Sequence, residues 1–140
     1  MEITDVTLDT VDGPMRLYSC PPEGDAARAV VVIQEAAGVN GYIEDVTRRL
    51  ADAGYHAVAP ALFHRAGGGT ATYDDFEKVA LLFEGLTDAG IVMDVGAAIA
   101  HLHDHGFADE SIGIDRFGAS APGMSTAPIV RSAPLIDSSI

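Results

Sequence analysis

Ala29-Val30-Val31-Val32-Ile33 is an unbroken run of apolar, mostly β-branched residues. A strand with one face in water alternates apolar with polar side chains. One that is apolar at every position is covered on both faces, as in the middle of a parallel sheet with helices on either side. This segment therefore requires a chain that supplies further strands and helices in alternation.

The flanking sequence supplies them. Residues 3–8 and 15–20 are β-prone and are separated by Thr10-Val11-Asp12-Gly13-Pro14, whose Asp-Gly step predicts a hairpin turn. Over residues 42–53, Ile43, Val46, Leu50 and Ala53 recur at helical spacing, and Gly54 is placed to end the helix. Residues 55–59 then read as a strand closed by Pro60, which completes a right-handed strand–helix–strand unit. After Gly67-Gly68-Gly69, a helix over residues 73–86 carries Phe76, Val79, Ala80, Phe83 and Leu86 on one stripe. Thr87-Asp88 offers capping oxygens to another, running through Ile91, Val95, Ala98, Ile99 and Leu102 to Gly106, and residues 111–114 form a short strand. The alternation predicts an α/β fold with a mostly parallel sheet between two helical layers.

Beyond Asp115 the character changes. Pro122, Pro128 and Pro134 interrupt a Ser/Ala-rich stretch with no sustained period, so residues 1–114 read as the α/β part and 115–140 as an atypical tail. The 140 residues are 48% hydrophobic, enough for one domain with a core. A net charge of −13 repels phosphate backbones and anionic lipid, which argues against nucleic-acid and membrane-surface partners. Cys20 is the only cysteine, so an internal disulfide, a CxxC pair and a zinc knuckle are all excluded. No signal-peptide pattern opens the chain, and no apolar run approaches the ~18 residues of a membrane span. These features are those expected of a cytoplasmic protein.

The stretch Val30-Val31-Val32-Ile33-Gln34-Glu35-Ala36-Ala37-Gly38-Val39-Asn40, with Leu50-Ala51-Asp52-Ala53-Gly54-Tyr55 and Ala57-Val58-Ala59-Pro60-Ala61-Leu62-Phe63 after it, resembles the dienelactone hydrolase family of α/β-hydrolases. A second block, Asp94 to Leu102 followed by Ser111-Ile112-Gly113-Ile114, is similar to the helix and strand that lead to that family's nucleophile elbow. The resemblance covers residues 1 to about 114. It implies an α/β-hydrolase-like three-layer fold, incomplete at its C-terminal end. The implied activity is cofactor-free cleavage of a lactone or carboxylic ester through an acyl-enzyme intermediate.

The resemblance also assigns roles. Glu35 matches the glutamate that contacts the nucleophile's thiol, and the Ala36 backbone N–H matches one oxyanion donor. The family's Gly-x-Cys-x-Gly-Gly elbow corresponds to Phe117-Gly118-Ala119-Ser120-Ala121-Pro122-Gly123, where the only hydroxyl is that of Ser120. Ser120 is a weak nucleophile candidate, because serine needs an adjacent base and the bland reading is a loop serine. The family's acid and histidine follow the nucleophile, whereas His56, His64, His101, His103 and His105 all precede it and residues 121–140 hold one acid, Asp137. A triad in family order is therefore absent from these residues, and the chain is expected to be inactive. The abrupt change at the elbow suggests a shifted or prematurely ended reading frame, and an unpaired sheet edge would favour self-association. The alternative is a non-catalytic α/β module that binds a partner chain or a small ligand.

Three further features have a bland reading that outweighs the functional one. His101 and His105 lie one helical turn apart, as two metal ligands do, but read first as imidazoles favoured in charged form by a helix C-terminus. Gly67-Gly68-Gly69-Thr70 lacks the Lys of a phosphate loop. Cys20 reads as a small buried or edge residue.

Overall fold

The computed structural model describes residues 3–34, 38–67, 70–72 and 74–116. In chain order it contains β1 (Thr4–Thr10), β2 (Gly13–Cys20), β3 (Ala29–Ile33), α1 (Gly41–Asp52) and β4 (His56–Pro60). A short 3-10 helix η1 (Leu62–Ala66) follows, then α2 (Phe76–Phe83), α3 (Asp88–Asp104), a second 3-10 turn η2 (Asp109–Ser111) and β5 (Ile112–Arg116).

The strands form one sheet in the order β1-β2-β4-β3-β5. β4, β3 and β5 run parallel, and the β1–β2 hairpin adds an antiparallel extension along β4. β3 lies between two parallel neighbours, which explains why all five of its side chains are apolar and fully buried. Val30 and Val32 pack with Ile43, Val46 and Leu50 of α1. On the opposite face, Ala29, Val31 and Ile33 pack with Ile91, Val95, Ala98 and Leu102 of α3. The result is the three-layer arrangement expected of an α/β-hydrolase-like fold.

Local signals set the element ends. Thr10 pairs with Gly13, so Val11 and Asp12 alone form the hairpin tip, and the ladder runs further toward the turn than the sequence predicted. Asn40 caps α1 by accepting from the Ile43 N–H at 3.1 Å, and Gly54 leaves the helix at φ +104°, a conformation that other residues adopt only with strain. Thr87 caps α3 by accepting from the Gly90 N–H at 3.0 Å.

The second predicted helix requires correction. α2 starts only at Phe76, after its Asp75 cap, and packs beside η1 rather than lying along the sheet. Leu82 is its buried residue, joined by the half-buried Val79 and Phe83 around Phe63. Phe76 and Ala80, expected on the core stripe, face solvent, with Phe76 77% exposed. No helix among the described residues is long and apolar enough to cross a membrane.

Candidate active site

The parallel strands deliver their carboxyl ends to one edge, where open α/β sheets place their ligands. Ile33 stands opposite Arg116, so β3 and β5 end side by side. Gln34 follows β3 directly and is 1% exposed. Its Oε1 accepts the Leu62 N–H at 2.8 Å, which ties the exit of β3 to the loop after β4. Next to this tie is a cavity of about 400 Å³ whose lining includes Asp12 and Arg16 from the hairpin, Val39 after β3, Ala61 and His64 after β4, and Thr70. Glu35, Ala36 and Ser120, the site residues named from the sequence, lie outside the described residues.

Two of the lining residues, His64 and Asp12, belong to a connected polar cluster that sequence reasoning missed. His64 Nε2 lies 3.0 Å from Asp94 Oδ1. Arg65 donates from Nη1 and Nη2 to the two oxygens of Asp94 at 2.7 and 3.0 Å, and from Nε to Asp12 at 2.7 Å. Asp94 is fully buried on α3, so its charge requires these partners. The hydrogen bond to Asp94 is also the largest influence holding the Arg65 guanidinium above its ordinary pKa. Because an ionised carboxylate only accepts, the proton of a neutral His64 ring resides on Nε2 and leaves Nδ1 as an acceptor. His64 Nδ1 is buried and has no hydrogen-bond partner among the described residues. Gly90 admits the guanidinium over the first turn of α3: a Cβ there would sit 3.0 Å from Arg65 Nη1. One signal could have found the cluster. Asp94 falls between Ile91 and Ala98 on the buried stripe of α3, where an acid is stable only if paired.

Arg16, which also lines the cavity, donates to Asp5 at 2.7 Å and to Glu44 at 2.6 Å. Cys20 is fully buried, and burial pushes its thiol up to about 11, so it is no nucleophile at neutral pH.

The histidines of α3 lie at the opposite end of the sheet. The His101 and His105 rings are 4.4 Å apart, and His105 stands 5.6 Å from His56 at the start of β4. The expectation that the helix end favours a charged His101 is overturned. Burial lowers its pKa, and the neighbouring His105 lowers it further. His103 instead faces Asp109 at 2.6 Å. Among the described residues, no group of three His, Cys, Asp or Glu side chains is placed to hold a metal ion.

Comparison with known proteins agrees with this geometry. The model of the dienelactone hydrolase family matches residues 15–117. A protein of Methylorubrum extorquens provisionally named carboxymethylenebutenolidase is 35% identical over 115 residues, which is 81% of this chain and 40% of that protein. A solved structure from Klebsiella pneumoniae, provisionally named dienelactone hydrolase, superimposes with a TM-score of 0.68 at 26% identity, covering 83% of this chain and 49% of that one. An esterase of Pyrobaculum calidifontis shares the fold at a TM-score of 0.54 and 20% identity, covering 82% of this chain and 34% of its own. The chain thus spans half or less of each of these relatives. With its ordered sheet, the cavity at the strand ends and a family match over most of its length, this chain belongs to the dienelactone hydrolase family.

Proposed function

We propose that the chain carries the oxyanion and acyl-pocket half of a cytoplasmic, cofactor-free hydrolase of lactones or carboxylic esters, and that these 140 residues alone do not turn over. In this reading a nucleophile after β5 attacks the carbonyl carbon, and the Ala36 N–H holds the oxygen as it gains charge. The alcohol then leaves and water releases the acyl group. Glu35 contacts the nucleophile in the resting state. Ser120 is the hydroxyl nearest the elbow position in sequence, and no histidine follows it to act as base.

The observation that carries the reading is the register of β3 on β5, with Ile33 opposite Arg116. It sets the strand leading into Gln34-Glu35 beside the strand that leads to the family's nucleophile, next to the cavity.

The test compares two proteins on a chromogenic ester and a lactone. One is the 140-residue chain; in the other, everything after Arg116 is replaced by the corresponding half of the Klebsiella relative. The chain is expected to be silent and the chimera active, with activity lost in its Glu35→Ala variant. An active 140-residue chain would refute the incomplete-triad argument. A folded, inactive chimera would favour the non-catalytic binding module. Among the described residues β5 pairs only with β3, so its other edge is the surface through which we expect self-association, read as concentration-dependent sedimentation.

A further inference from the structure

We infer that His101 and His105, at the C-terminal end of α3, form a two-imidazole site for a divalent transition-metal ion of the zinc and copper class, with water completing the coordination. The first half of the argument is distance. Side chains four residues apart on a helix are neighbours on one face, and here the two ring centroids stand 4.4 Å apart. Two imidazoles bound to one ion through nitrogens at ~2.1 Å have centroids about 4.5 Å apart when the bonds meet at a right angle, and about 5.2 Å at the tetrahedral angle. The pair already stands at chelating distance, so side-chain rotation closes it on an ion without moving the helix.

The second half is the state of the nitrogens. His105 Nδ1 donates to the His101 carbonyl oxygen at 2.9 Å, because a carbonyl only accepts. That bond leaves the lone pair of a neutral ring on Nε2, and it is the outer hydrogen bond that ligating histidines ordinarily make. His101 is held neutral, since burial lowers its pKa and His105 lowers it further against an opposing effect of Asp104. The charged state that would compete with a metal is thereby disfavoured. An ion on the exposed His105 side keeps its water ligands, and it lies near Asp104 and the carbonyl end of α3, whose negative charge attracts a cation. On the inner side, His56 stands 5.6 Å from His105 and packs on Phe107. Its Nε2 faces the Ser19 hydroxyl at 3.4 Å, so this ring walls the pair rather than ligating. Two protein ligands agree with the absence of a three-residue metal group among the described residues. Imidazole donors select zinc, copper or nickel over magnesium and calcium, which take oxygen ligands.

The site lies at the end of the sheet opposite the cavity, so its test is independent of the proposed hydrolase reading. The experiment titrates the untagged 140-residue chain, carrying ¹⁵N-labelled histidine, with zinc chloride at pH 7.5 and follows the ring nitrogens by NMR. Zinc is expected to shift His105 Nε2 and one nitrogen of His101, to leave His105 Nδ1 protonated, and to leave His64 and His103 unmoved. Magnesium should shift none of them. Zinc affinity should fall at least about tenfold in His101→Ala and in His105→Ala, because losing a ligand costs no less than losing the outer hydrogen bond of one. It should be unchanged in His103→Ala. Should an alanine variant fail to fold, the resonances of the wild-type chain still decide. No shift at millimolar zinc, shifts centred on His103 or His64, an equal response to magnesium, or full affinity in either His101→Ala or His105→Ala would each overturn the inference.

Discussion

Acidification to pH 5 should destabilise the chain through His56. This residue opens β4, is 9% exposed, and faces Ser19, His105 and Phe107, with no carboxylate among these neighbours. Burial strips water from its imidazolium, and His105 and His101 present like charge, so its pKa falls from 6.5 to about 4. Between those values the unfolded chain binds a proton that the folded chain does not. The contribution of His56 to stability is therefore complete above about pH 6.5 and is lost progressively as the pH falls toward 4. At about 1.4 kcal/mol per pH unit the full loss is about 3 kcal/mol, of which about 2 kcal/mol has occurred by pH 5. The assay is urea unfolding at pH 7.5 and pH 5.0 for the wild type and for His56→Gln, which keeps a polar group but does not titrate. Carboxylates and the remaining histidines titrate in both proteins, so their effect largely cancels in the comparison. The wild type should lose about 2 kcal/mol more than the variant over this interval. Equal losses would refute the claim that His56 is held neutral by its surroundings.

Three further substitutions probe the frame of the site. Asp94→Ala leaves Arg65 and His64 without their shared buried anion and should cost about 3–5 kcal/mol in thermal or urea unfolding. Gln34→Leu keeps the volume but strands the buried Leu62 N–H, so a loss of about 1–3 kcal/mol is expected, with amide exchange at Leu62 accelerating as the local readout. Thr87→Ala removes the cap of α3 and should lower stability by about 1 kcal/mol, whereas Thr87→Ser should be nearly silent.

The layers were legible in the sequence because each rests on a local signal that tertiary packing has no reason to override. The unbroken Ala29–Ile33 run declares a strand covered on both faces, and the stripes of α1 and α3 declare which sides cover it. α2 was misread because its apolar residues lie nearly all round the helix, so periodicity alone does not say which face docks. The choice is made by η1, whose Phe63 meets Phe83 at 5.5 Å and leaves Phe76 outside. The polar cluster was missed for a different reason. His64 and Arg65 belong to a loop-like segment with no period to read, and their partner Asp94 is 29 and 30 residues away on another element.

Asp94 was the one residue that betrayed the cluster, because it breaks the apolar stripe of its helix at a position that must be buried. Its two anchors occupy consecutive places just after β4, so the strand end, the 3-10 turn and the helix behind the sheet are joined at one carboxylate. That carboxylate fixes the ring of His64 from behind and the guanidinium of Arg65 from the side. The site edge is thereby built from charges that satisfy one another.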